Sequence, residues 1–112
     1  MGSSGRVYVY GIGSAGMVLP DGITGLGGAP VRLCPIGRLA AVISDTEMEV
    51  VRAERRHLSA HQTVLTRVIA GADMLPMAFG MISDNEEALR SLLAEHIALL
   101  SRQITYISGI GN

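Results

Sequence analysis

A chain of 112 residues is long enough for one compact domain and too short for two ordinary ones. Its 48% hydrophobic and 17% charged content excludes a disordered polymer. Ten carboxylates against nine arginines leave a net charge of -1, which attracts neither nucleic acid nor anionic lipid. The single cysteine, Cys34, has no partner for an internal disulfide and reads as a small buried hydrophobe in a reducing cytosol. No apolar run reaches the ~18 residues of a membrane span. Residues 1–5 lack the basic and apolar stretches of a signal peptide and read as a disordered N-terminus or an expression remnant.

Residues 6–12, Arg-Val-Tyr-Val-Tyr-Gly-Ile, are rich in β-branched and aromatic side chains and predict a strand. Residues 13–29 follow with Gly13, Gly16, Gly22, Gly25, Gly27, Gly28 and Pro20, the composition of a flexible connector. Residues 31–36 and 39–44 are two short apolar runs that predict a hairpin turning at Gly37. From residue 45 to 70 the period becomes helical, with Leu58, His61, Leu65, Val68 and Ile69 on one stripe. Asp45 or Thr46 is positioned to cap this helix, and Gly71 ends it. Residues 74–82 read as extended, because Pro76 biases Leu75 away from helix and Phe79 and Ile82 suit a strand. Ser83 with Glu86 forms a capping-box pattern. Leu89, Leu92, Leu93, His96, Ile97 and Leu100 then make the apolar stripe of a second helix. Residues 106–112 read as a frayed tail beyond a domain spanning 6–105. The expected architecture is α+β, a ferredoxin-like open antiparallel sheet of order β-loop-β-β-α-β-α with helices packed on one face.

Several constellations invite a chemical reading. Gly11-Ile12-Gly13-Ser14-Ala15-Gly16 is a literal dinucleotide fingerprint after a strand, but Pro20, Asp21 and Gly22 leave no room for the helix that would hold a pyrophosphate. No acidic residue stands between Gly22 and Asp45 to bind a ribose. His57 and His61 lie four apart on one helix face, with Glu54 or His96 as a third metal ligand. Leu58 stands where a zinc protease needs glutamate, and the expectation is two structural histidines. No nucleophile setting or spaced carboxylate pair is present, so neither catalysis nor a cofactor is expected. Arg52, Arg55 and Arg56 cluster where the helix dipole disfavours cations, which suits either a partner or a solvated face paired with Glu47, Glu49 and Glu54. Phe79 and three tyrosines are too few aromatics for an RNA platform.

Five segments taken in order resemble the N-terminal half of the gas vesicle GvpF/GvpL family. They are Val7-Tyr8-Val9-Tyr10-Gly11-Ile12, Leu39-Ala40-Ala41-Val42-Ile43-Ser44, the helix from His57 to Leu65 with its L-x-x-H-x-x-V-L pattern, Met74-Leu75-Pro76-Met77-Ala78-Phe79-Gly80, and the amphipathic stretch 86–100. Ala78 stands where the family usually has arginine and Met81 where it has threonine, and the family's E-W-x-V-K strand and long C-terminal helices do not follow. The resemblance implies a cytoplasmic, gas vesicle-associated accessory protein that binds the hydrophobic shell protein, alone or with other accessory proteins, and limits its aggregation. Met77, Phe79 and Met81, with Arg52, Arg55 and Arg56, are the expected contact residues, methionine offering an adaptable apolar surface. Two alternatives are a ferredoxin-like small-ligand or metal-binding regulatory domain and a homo-oligomer built by pairing sheet edges.

Overall fold

The computed structural model describes residues 5–110. Its centre is strand β1, Val7–Ser14, buried at every position but the last. Val7, Val9 and Ile12 point to one face of the sheet, and Tyr8 and Tyr10 to the other. Against β3 (Leu39–Asp45) the register runs Val9↔Ile43 and then Gly11↔Val42, so Tyr10 is an extra residue in a β-bulge. The bulge aims two consecutive residues, Tyr10 and Gly11, at the same face. Gly11 is required there, because a Cβ would lie 2.5 Å from the Met74 sulfur and 2.9 Å from the Leu75 carbonyl oxygen.

Strand β2 (Val31–Ile36) pairs with β3 through the expected hairpin. Gly37 has φ 59° and Arg38 a negative φ, the signature of a two-residue turn with glycine first. On the other side of β1 lie β4 (Met74–Pro76) and β5 (Ile82–Ser83). The sheet order is β2-β3-β1-β4 with β5 also on β1, antiparallel throughout. This is the open antiparallel α+β sheet expected, with β2 at an edge where Pro35 needs no partner for its missing N–H.

Helices cover both faces, not one. Helix α1 (Arg55–Ile69) places Val64, Leu65 and Val68 against Tyr8, Tyr10, Val42 and Met74. Helices α2 (Glu86–Glu95) and α3 (Ile97–Ile110) bring Leu89, Leu93 and Ile104 to Val7, Val9, Cys34, Ala41 and Ile43 on the opposite face. Continuous burial along β1 and β3, where a one-sided sheet would alternate, is the direct consequence.

The glycine-rich connector is ordered. Ile23 and Leu26 are buried beside α1, a short 3-10 turn spans Leu26–Gly28, and Thr24 bridges to Pro30. Helix α1 begins ten residues after Asp45, with Glu54 at its N-cap and no side-chain cap. Asp45 does not cap because Arg32 engages its carboxylate at 2.9 Å, and Thr46 accepts from the Met48 amide in a local turn. Val51 buries in the core and keeps that segment non-helical until residue 55. Ile69, expected on the buried stripe, is exposed.

The expected strand 74–82 is two short ones. Pro76 lacks a donor, Gly80 adopts φ 92°, and residues 77–81 arch away from β1, tied at their ends by Met77 N–H to the Tyr10 carbonyl and Val9 N–H to the Met81 carbonyl. Asn85, not Ser83, caps α2, its side-chain oxygen accepting from Ala88 N–H at 2.7 Å. The single predicted second helix breaks at His96 (φ -117°, ψ 13°). The break turns Ile97, Leu100 and Ile104 back onto the sheet and leaves Leu92 and Leu99 exposed. Helix α3 runs on to Ile110, through most of the expected frayed tail, while residues 1–4 and 111–112 lie outside the described residues.

A Cβ on Gly25 would overlap the Tyr10 hydroxyl, which two hydrogen bonds hold in place. Gly25→Ala is therefore expected to destabilise the fold by about 2–3 kcal/mol, the usual range of core overpacking. Chemical denaturation monitored by far-UV circular dichroism checks this, with Gly71→Ala as a comparison at a position with open space and no positive φ.

Candidate functional site

The face of the sheet under α1 carries a buried polar network. Tyr8 Oη lies 2.8 Å from His61 Nδ1, and the same oxygen accepts from the Gly80 amide at 2.9 Å. Two residues along β1, Tyr10 Oη lies 2.8 Å from Ser44 Oγ and accepts from the Leu26 amide at 3.0 Å. Each tyrosine thus ties one irregular connection to the central strand, Tyr10 the glycine-rich loop and Tyr8 the arch between β4 and β5. The rings of Tyr8, Tyr10, His61 and Phe79 pack together, with His61 edge-on to Phe79 at 5.5 Å.

Burial pushes the His61 pKa below its ordinary value, partly opposed by a hydrogen bond to the Met77 backbone. Tyr8 Oη and His61 Nδ1 share one hydrogen bond, whose donor is set by the imidazole tautomer. Burial raises both tyrosine pKa values, so the phenols stay protonated donors. His57 is engaged elsewhere, its Nδ1 donating to the Arg52 carbonyl at 2.9 Å. The two histidines of the i, i+4 pair therefore hold different backbone segments rather than converging on one point.

The glycine fingerprint has no phosphate geometry. Gly11 and Gly13 lie inside β1, and the chain beyond Ser14 turns without forming a helix. An open cleft of about 450 Å³ adjoins the 3-10 turn, lined by Leu26, Gly27, Ala29, Asp45, Thr46, Glu47 and Met48. Its carboxylates, Asp45 and Glu47, repel phosphate. Cys34 is fully buried and burial raises its thiol pKa, opposite to a reactive cysteine.

On the other face, Arg32 bridges the edge strand to α2 by engaging both Asp45 and Glu86, and it holds the Glu86 carboxyl below the usual carboxylate range. This pair ties the start of α2 to the edge strand.

The six expected contact residues are not brought into one patch. Met77 packs with the α2–α3 side of the core, Phe79 with the α1 side, and Met81 is exposed. Arg52, Arg55 and Arg56 are all exposed at the start of α1, where Arg56 pairs with Glu54 at 3.1 Å and no acidic residue occupies the first turn. Exposed Val50 and Leu58 flank them in sequence. The Tyr8–Tyr10 network was not anticipated from the sequence. The available signal was two tyrosines two apart on one strand, a spacing that puts both hydroxyls on one face.

The family model for gas vesicle synthesis protein GvpL/GvpF matches residues 6–110. The chain belongs to the GvpL/GvpF family. It is 45% identical over 91 residues to gas vesicle protein F of a Streptomyces species, a match covering 79% of this chain and 38% of that protein. It is 32% identical over 111 residues to gas vesicle protein F2 of Halobacterium salinarum, covering 96% of this chain and 51% of that one. The crystal structure of GvpF from Anabaena sp. PCC7120 superposes with a TM-score of 0.80 at 28% identity, over 90% of this chain and 44% of that chain. GvpF from Microcystis aeruginosa gives 0.79 at 29% identity, over 94% and 45% respectively. This GvpL/GvpF family member thus spans about half or less of the length of these relatives.

Within this family domain, Phe79 is part of the fold whereas Met81 and the arginines are surface. Phe79→Ala is expected to cost about 2–3 kcal/mol, below the full-burial range because the ring is half-buried. Met81→Ala and Arg55→Ala are expected to stay within about 0.5 kcal/mol. Urea titrations of the three variants check the contrast.

Proposed function

We propose that this chain is a non-enzymatic accessory of gas vesicle assembly that binds the hydrophobic shell protein and limits its aggregation. The observation that carries the reading is the GvpL/GvpF family match across residues 6–110. On this reading the protein works in the cytoplasm and at the growing vesicle, with the shell protein, and other accessory proteins beside it, as partners. Among the described residues, no helix is long and apolar enough to cross a membrane.

The surface offers means for such binding. Met81, exposed on the arch between β4 and β5, presents a polarizable, adaptable side chain beside the sheet edge. The arginines at the start of α1 add a mixed rim of charge next to exposed Val50 and Leu58. Self-association through sheet edges has less support. Pro35 interrupts β2, and the opposite edge consists of strands of only three and two residues, both protective features.

The test is capture of purified shell protein by this chain, with light scattering to follow shell aggregation. Met81→Glu is expected to weaken capture about tenfold, equivalent to ~1.4 kcal/mol, while thermal stability is preserved. Neutralising Arg52, Arg55 and Arg56 to glutamine is expected to make binding less sensitive to salt. A folded chain that neither captures shell protein nor delays its aggregation would overturn the reading.

A further inference from the structure

We infer that the outward face of α1 is a docking surface for a helix of a partner protein, an amphipathic helix whose apolar seam is flanked by carboxylates. This surface is distinct from the arch between β4 and β5 and does not depend on binding of the shell protein.

An ordinary surface helix buries one stripe and covers the opposite one with charge. Helix α1 does the first and not the second. His57, His61, Val64, Leu65 and Val68 are buried toward the core. Leu58, Ser59, Gln62, Thr63, Thr66 and Ile69 are exposed, and not one of them is charged. Leu58 and Ile69 are 43% and 48% exposed, two large apolar side chains left in water. They lie about 16 Å apart along the helix axis and within about 20° of each other around it. Leu58, Gln62, Leu65 and Ile69 follow at intervals of four, three and four residues, the spacing of the seam positions of a coiled coil. Leu65 joins this seam to the core. Such a spacing is matched by a second helix lying along α1.

The ends of the face are cationic. Arg55 and Arg56 stand in the first turn and Arg67 in the last, with no carboxylate from Arg55 to Ile69, in a chain whose net charge is -1. Arg56 pairs with Glu54, whereas Arg55 and Arg67 make no ion pair among the described residues. Two cations at a helix start oppose its dipole, and α1 has no side-chain cap there to offset them. Carboxylates flanking a partner's seam answer both the unpaired guanidiniums and the uncapped start. A second copy of this chain fits poorly, because pairing α1 with α1 in either orientation sets arginines toward arginines. Gln62 calls for a polar residue opposite it, since an apolar one would bury its amide unsatisfied.

The probe is a synthetic peptide of about 21 residues, with leucine at a and d, glutamine at the central a position and glutamate at e and g. Its own like charges keep it from self-pairing. Two control peptides carry lysine in place of glutamate, or the same residues shuffled out of heptad order. Calorimetric titration into the whole chain measures affinity, and NMR amide shifts locate the contact. The acidic peptide is expected to bind at least about tenfold more tightly than either control and to shift the amides of Leu58, Gln62, Thr66 and Ile69. Replacing Leu58 and Ile69 together by alanine is expected to weaken it about tenfold, through lost apolar contact. Arg55→Gln with Arg67→Gln is expected to close most of the gap between the acidic and lysine peptides. Leu92→Ala, at a comparably exposed leucine of α2, is expected to change nothing. Circular dichroism checks that each variant is folded. Equal binding of the shuffled peptide, shifts confined to residues outside α1, or no binding by the folded chain would overturn the proposal. So would self-association of the chain that the Leu58 and Ile69 variant abolishes, which assigns the face to a second copy. The probe contains no shell protein, so failure of shell capture and failure of this proposal are read separately.

Discussion

Two tyrosines on one central strand bear an unusual share of this fold. Tyr8 and Tyr10 are both fully buried, yet each keeps its hydroxyl satisfied, and in each case one partner is a backbone amide far away in sequence. A buried phenol without partners would cost on the order of 1–3 kcal/mol, so the hydroxyls constrain where those amides lie as firmly as the rings constrain the core. Leu26 and Gly80 belong to connections outside the main strands and helices. Tethering both to neighbouring positions of β1 is what lets a loop of many glycines and an interrupted edge strand sit against an ordered core. His61 completes the arrangement by linking α1 to the same point.

The second constraint is that both faces of the sheet are covered. One face is built with aromatic rings under α1, the other with β-branched and small residues under α2 and α3. The bulge at Tyr10 reconciles the two, since an extra residue in β1 restores the face alternation of Ile12 after two residues have been spent on the α1 side. Gly11 against the Met74 side chain and Gly25 under the Tyr10 hydroxyl are close-approach glycines, which accounts for part of a glycine content that otherwise suggests a nucleotide loop. Arg32 then ties the edge strand to α2 by reaching two carboxylates from different elements.

For function, the fold is a scaffold and the surface carries the question. The family match and the two GvpF crystal structures relate this domain to gas vesicle synthesis, and its exposed apolar residues come from several elements, among them Leu58 of α1, Leu92 of α2 and Leu99 of α3. The arch between β4 and β5 combines an exposed methionine and a half-buried phenylalanine beside a short sheet edge.

Much was legible in the residues alone. The β-branched run around Tyr8, the hairpin at Gly37, the helical stripe ending at Gly71 and the ordered set of family segments all rest on local pattern, and local pattern reports backbone preference and which side chains seek burial. The structure decided what depends on partners distant in sequence. Asp45 failed to cap a helix because Arg32 engages it, the strand 74–82 broke because Pro76 and Gly80 meet only part of β1, and the second helix bent at His96 so that Ile104 could reach the sheet. The contact candidates Met77 and Phe79 parted to opposite faces for the same reason. The sequence by itself determined the α+β composition, the family and the identity of most core residues, because these follow from periodicity and residue type. Only the tertiary structure determined that both faces are covered, that two tyrosine hydroxyls anchor the irregular segments, and that His61 joins them, because a buried hydrogen bond depends on where its two ends meet in space.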